Sequence, residues 1–170
     1  MPQEPIDPAG LEFQRVSPSY AKVRLVGWGI SALITWVVLA TPVVLMLTGV
    51  WPGYPAWLAW GLLGIAVVAD LARMAVIPRQ VRAIGYAERD DDLLIRSGIM
   101  FQKVLVVPYG RMQYVDVAVG PVDRALGLCK VQLHTASTTA KAEIPGLPAA
   151  EGTRLRERLS ARGEARLAGL

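Results

Sequence analysis

The sequence holds very little of what most site chemistries require. There is one cysteine, Cys129, and one histidine, His134. A single cysteine excludes an intramolecular disulfide and any Cys-based metal site. A single histidine excludes His-cluster zinc sites and any mechanism built on two imidazoles. No Gly-rich phosphate loop, dinucleotide fingerprint or Ser-His-Asp arrangement is present. The expectation is a non-catalytic chain with no cofactor and no metal.

Charge is the most telling absence. Residues Leu25 to Ala69, 45 consecutive positions in a chain of 170, carry no Asp, Glu, Lys or Arg. A hydrocarbon core is crossed by about 20 apolar residues of helix, so this run can cross twice. Helices of soluble domains keep one polar face, which this run does not have. Trp51-Pro52-Gly53-Tyr54-Pro55 marks the turn. The chain is therefore expected to form a transmembrane helical hairpin over residues 20–78, with helices near 25–50 and 56–77. Pro78 is expected to break the second helix. Residues 1–19, with four prolines, are expected to be a flexible tail.

Seven basic residues flank the run: Arg15, Lys22, Arg24, Arg73, Arg79, Arg82 and Arg89. The turn between the helices has none. Positive residues gather on cytoplasmic flanks, which predicts a multi-pass protein of the cell membrane with both termini cytoplasmic. Asp70 is the one acid within the span. Such carboxylates often mark ion or proton sites. With a single carboxylate, no partner for it in the first helix and Arg73 at i+3, an interfacial ion pair with Arg73 is the expectation.

Residues 78–170 hold 14 basic and 10 acidic residues and so carry all of the net charge of +4. This excess suits an anionic inner leaflet. It is too dispersed for nucleic acid, which draws a clustered basic stripe. Short segments rich in β-branched residues follow one another: Val81–Glu88, Asp92–Arg96, Ile99–Val107, Met112–Val119, Lys130–Thr135 and Lys141–Ile144. Turn residues separate them, among them Ser97-Gly98, Gly120-Pro121 and the Ser137-Thr138-Thr139 loop. Towards the end of the chain, Leu147, Leu155 and Leu159 fall at helical spacing. The pattern predicts an α+β chain. Its cytoplasmic part, residues 79–162, is a small antiparallel β-barrel or sandwich capped by a C-terminal helix, with residues 163–170 as a tail. That is the pleckstrin-homology (PH) arrangement.

Five stretches carry a resemblance. They are Asp92-Leu93-Leu94-Ile95-Arg96-Ser97-Gly98, Val106-Val107-Pro108-Tyr109-Gly110-Arg111-Met112-Gln113-Tyr114-Val115, Gly120-Pro121-Val122-Asp123-Arg124-Ala125-Leu126-Gly127-Leu128, Thr135-Ala136 and Ile144-Pro145-Gly146-Leu147. In this order and spacing they resemble the bacterial PH domain of the second type, across about residues 80–160. The helical pair is similar to that of short members of this family. The resemblance implies a PH-like fold tethered to the membrane and little chemistry. It also implies a protein partner, another membrane protein such as a larger relative with repeated PH-like domains.

Arg111, Gln113 and Arg124 are candidate contacts to a partner or an anion, since planar guanidinium forks grip carboxylates and phosphates. Arg111 reads equally well as structural, and Arg124 better as a residue that holds its turn. Arg79, Arg82 and Arg89 are candidate contacts to the membrane surface. Asp90, Asp91 and Asp92 make an acidic turn that repels phosphate, and they lack the spaced oxygens of a calcium loop. Cys129 reads as a buried structural thiol and His134 as a wall or outward residue. Gly27, Gly29, Gly61 and Gly64 give the helices small-residue faces for contact with a second membrane protein or a second copy. The function expected is an interaction or scaffold module that holds a protein partner at the inner face of the membrane. The alternative is a sensor of anionic lipid acting through the basic residues and the Arg-rich last helix.

Overall fold

The structure is a computed structural model that describes residues 12–135 and 142–168. The Ser137-Thr138-Thr139 loop, Lys141 and the ends of both expected tails lie outside the described residues. The chain forms two compact units. One is Lys22–Pro78, and the other joins the residues up to Ala21 with those from Arg79 onward.

Strand β1 is Gln14–Arg15, and helices α1 and α2 are Tyr20–Leu47 and Ala56–Arg82. Both helices are long and apolar enough to cross a membrane. Between them, the Trp51 and Tyr54 rings meet at 5.2 Å in a tilted pair. Helix α2 does not stop at Pro78 but runs through it to Arg82, as α1 runs through Pro42. A proline removes one backbone donor, and long apolar helices absorb that loss by local adjustment of the freed carbonyl. The last turn of α2 has a reason to persist, because Val81 is buried in the core of the other unit.

That unit is a sandwich. Strands β2 (Gly85–Glu88), β3 (Asp92–Ser97) and β4 (Lys103–Pro108) follow α2. A 3₁₀ turn, Tyr109–Arg111, leads to β5 (Met112–Ala118), then α3 (Pro121–Ala125), β6 (Leu128–Thr135), β7 (Ala142–Pro148) and α4 (Ala149–Ala168). The sheets are antiparallel, β1-β2-β3-β4 and β5-β6-β7. They do not close into a barrel. Residues 14–19 are no flexible tail. Gln14 pairs with Tyr86 and Arg15 with Gly85, and Val16 is buried. A two-residue strand has no periodicity to announce it.

Two further expectations change. The run Ile99–Val107 is not one strand, since β4 begins only at Lys103 and residues 98–102 form the turn before it. Strict alternation over Met112–Val119 would put Gln113 on one face with Val115 and Val117 and Met112 on the other, but a bulge at Gln113 separates Met112 from Tyr114. The bulge puts Met112 on the core side with Val115 and Val117, because one extra residue flips the phase of a strand.

Helix α4 closes the core with Leu155 and Leu159, both 0% exposed. Each burial contributes about 1.5–3 kcal/mol. Leu147 is buried too, but from β7 rather than from the helix. The helix continues to Ala168, past the expected boundary at 162. It approaches the sheet closely at Gly152, where any Cβ would collide with the Cys129 sulfur.

Candidate functional site

The basic residues of the sandwich fall into two groups. The first is committed to holding α4 against the β2–β3 end of the first sheet. Arg154 spans Glu151 and Glu88, with Nη2 donating to Glu88 Oε1 at 3.0 Å, and Arg158 reaches Glu88 Oε2 at 3.4 Å. The Tyr86 hydroxyl donates to Glu151 Oε1 at 2.6 Å and reaches Gln14 Oε1 at 2.7 Å. Burial, and then the Glu151 carboxylate, push the Tyr86 pKa well above the ordinary tyrosine range. The Arg154 hydrogen bond holds Glu151 below the usual carboxylate range.

One turn further, Arg162 Nη1 donates to the Arg89 carbonyl at 2.5 Å and to the Tyr109 hydroxyl at 3.0 Å. Tyr109, 0% exposed, donates its own proton to the Arg89 carbonyl at 3.0 Å. Arg89 grips Asp92 with two parallel bonds of 2.5 Å, which is the strong bidentate geometry. The acidic turn is thus tied down by its own arginine. Arg89, a candidate membrane contact, spends its guanidinium on Asp92. Arg79 and Arg82 remain exposed in the last turn of α2.

The second group is exposed. Arg111 sits in the 3₁₀ corner between the two sheets, and Gln113 is the bulged residue at the start of β5. Arg124 lies in α3, beyond the other end of β5. Among the described residues, neither guanidinium has a hydrogen-bond partner. A strand of seven residues separates the two arginines, roughly 20 Å at the usual rise. The structure brings Arg111 and Gln113 together and leaves Arg124 at the far end, so the two forks cannot share one anion. Among the described residues, the Arg124 side chain makes no hydrogen bond to its turn. Asp123 does, with its carboxylate accepting from the Gly120 N–H at 3.2 Å.

Among the described residues, β5 pairs with β6 alone, which makes it the edge strand of its sheet, and α4 packs against it. On the same strand the Tyr114 ring stacks on His134 across the pair, centroids 4.2 Å apart and planes 11° from parallel. His134 is accordingly a wall residue. Cys129 is buried, and burial pushes its thiol up in pKa; it packs and does not react. Among the described residues, no three His, Cys, Asp or Glu side chains are placed to hold a metal ion.

A cleft of about 320 Å³ opens between the two sheets, lined by Tyr20, Ile84, Ile95, Ser97, Lys103, Leu105, Glu143 and Pro145. Its walls are mostly apolar, with one ammonium and one carboxylate on its lining. Five separate stretches of chain build it, which is why no sequence pattern announces it.

Within the hairpin unit, Asp70 does have a partner in the first helix. The Trp36 indole N–H donates to Asp70 Oδ2 at 2.8 Å. No ion pair joins Asp70 to Arg73 among the described residues. Sequence spacing points to i+3, whereas the bond formed spans the hairpin. Gly27, Gly29, Gly61 and Gly64 have open space where a side chain would stand, so their small-residue faces lie outside the seam between α1 and α2.

A family model described as the bacterial PH domain matches residues 23–163. The chain belongs to this family. The match takes in the hairpin as well as the sandwich, so the two units make one bacterial PH-domain protein. It is similar to the UPF0699 transmembrane protein YdbS of Bacillus subtilis (strain 168), with 29% identity over 148 residues, covering 86% of this chain and 89% of the relative. No solved structure matches. With two spans of sufficient length and a transmembrane relative, this bacterial PH-domain protein is a membrane protein.

Proposed function

We propose that the chain is a non-catalytic, membrane-anchored interaction module that holds a protein partner at the inner face of the cell membrane. The partner is another membrane protein. The observation that carries this reading is the place of β5, seven residues long, at the edge of its sheet, with Arg111 and Gln113 exposed at its start. An unpaired edge accepts an added strand through main-chain hydrogen bonds, and neighbouring side chains supply selectivity. Tethering confines both partners to one surface and raises their effective concentration.

Topology follows the same reading. The pairing of β1 with β2 supports placing both flanks of the hairpin on one side of the membrane. The seven flanking basic residues favour the cytoplasmic side. The lipid-sensor alternative is weaker, because Arg89, Arg154, Arg158 and Arg162 are engaged inside the sandwich.

A photo-crosslinking side chain in place of Gln113, in native membranes, tests the edge. A discrete adduct is expected, and Arg111→Glu should abolish it. Equal adducts from a crosslinker at Asp90, on the acidic turn, would sink the reading.

A further inference from the structure

The β3–β4 turn carries the most exposed bulky apolar side chains of the sandwich. Met100 and Phe101 are 85% and 86% exposed, and Ile99 beside them is exposed as well. Three consecutive large hydrophobics facing water at a strand turn are unusual in a soluble surface. The turn is built rather than slack. Gly98 adopts φ +101°, and a Cβ there would collide with the Phe101 carbonyl. The backbone therefore folds back over Gly98 and lifts the three side chains off the sheet.

The position of this tip in the sandwich is fixed by strand register. Gly85 pairs with Arg96, and Ser97 with Lys103. Gly85 lies three residues beyond Arg82, the end of α2, and Arg15 beside it leads towards α1. Tyr20 and Ile84 line the same cleft as Ser97 and Lys103. The end of the sandwich at which the chain leaves for its two spans is thus the end that bears the tip. At that end the tip is flanked by Lys103 at the start of β4 and by Arg96 near the end of β3, whose guanidinium lies over the Phe13 ring. The opposite end of β3 bears Asp90, Asp91 and Asp92. Apolar groups with flanking cations suit an anionic lipid surface, and an acidic end suits the water beyond it.

We propose that Ile99, Met100 and Phe101 insert into the lipid interface as a second, shallow anchor, with Arg96 and Lys103 at headgroup level. The two spans fix the chain in the bilayer, and the tip fixes the tilt of the sandwich on its surface. This anchor needs no protein partner and stands apart from the β5-edge reading.

The test uses the full chain in nanodiscs of mixed zwitterionic and anionic lipid. Met100→Cys is labelled with a nitroxide, the native Cys129 being buried and shielded from the reagent. Relaxation by oxygen should dominate over relaxation by a water-soluble paramagnet at position 100. The reverse should hold for Asp90→Cys. A label at 100 as open to the water-soluble agent as the label at 90 overturns the proposal. A label at 100 that is wet in nanodiscs but shielded in native membranes overturns it in favour of a protein partner at the tip.

Discussion

The helices of the two units obey opposite rules for their apolar side chains. In α1 and α2 these point outward, with Leu47 at 71% and Ile65 at 68% exposure. In α4 they point inward, and Leu155 and Leu159 are fully covered while arginines and glutamates take the outer side. The same helical geometry thus serves two solvents, lipid in one case and water in the other. Polar groups follow suit. In the hairpin a single carboxylate is hydrogen-bonded by a single indole, whereas α4 is held by a network of arginines, carboxylates and tyrosines.

The contrast can be broken most strongly at the docked helix. Leu159→Ala in the full chain should cost about 2–5 kcal/mol and lower the melting temperature clearly. Ile65→Ala should leave that melting temperature unchanged. An unchanged melting point for Leu159→Ala would mean that α4 is not docked. A smaller effect is expected in the hairpin. Trp36→Phe removes the bond to Asp70, and polar pairs inside membranes average about 0.6 kcal/mol. Its signature should be a modest loss of thermal stability in detergent that Asp70→Asn, which keeps an acceptor, reproduces only in part.

The sandwich should also respond to acid. Glu151 has a depressed pKa in the folded state. Its contribution is therefore complete above the unfolded carboxylate range, near 4.3, and is lost as pH falls below it. Glu151→Gln should flatten the fall in melting temperature in that acid window. A fall of the same steepness in the variant would show that other carboxylates govern it. The smallest effect belongs to Arg124→Ala, whose guanidinium has no hydrogen-bond partner among the described residues, and should be a change in stability of less than about 0.5 kcal/mol. A larger loss, read in the same melting experiment, would mean that Arg124 holds its turn after all.

Much of this was legible in the residues. An uncharged run of 45 positions can hardly be anything but spans, and the spacing of Leu155 and Leu159 gave the docked face of α4 directly. What stayed hidden depended on contacts distant in sequence. Asp70 finds its partner 34 residues earlier, beyond the reach of helical spacing. Strand β1 is too short to show a period, and the Gln113 bulge shifts the phase of a strand without changing its composition. Apolar residues that face outward at a turn read from sequence as strand core, which hid the Ile99–Phe101 tip inside an apparent β segment. For the candidate site, the exposed positions of Arg111 and Gln113 follow from motif and turn. Their separation from Arg124 by a whole strand does not.

The β1–β2 pair has a consequence for how the molecule is made. Its first strand is synthesised before either span, and its second arrives only after both have left the ribosome. The sheet cannot be completed until the chain has gone out and come back. If one crossing fails, Val16 and its core neighbours end on opposite sides of the bilayer and the sandwich stays open. On the proposed topology, a folded sandwich is in this sense a record that the membrane was crossed an even number of times. Any quality control able to sense an open core can use it to reject misinserted copies.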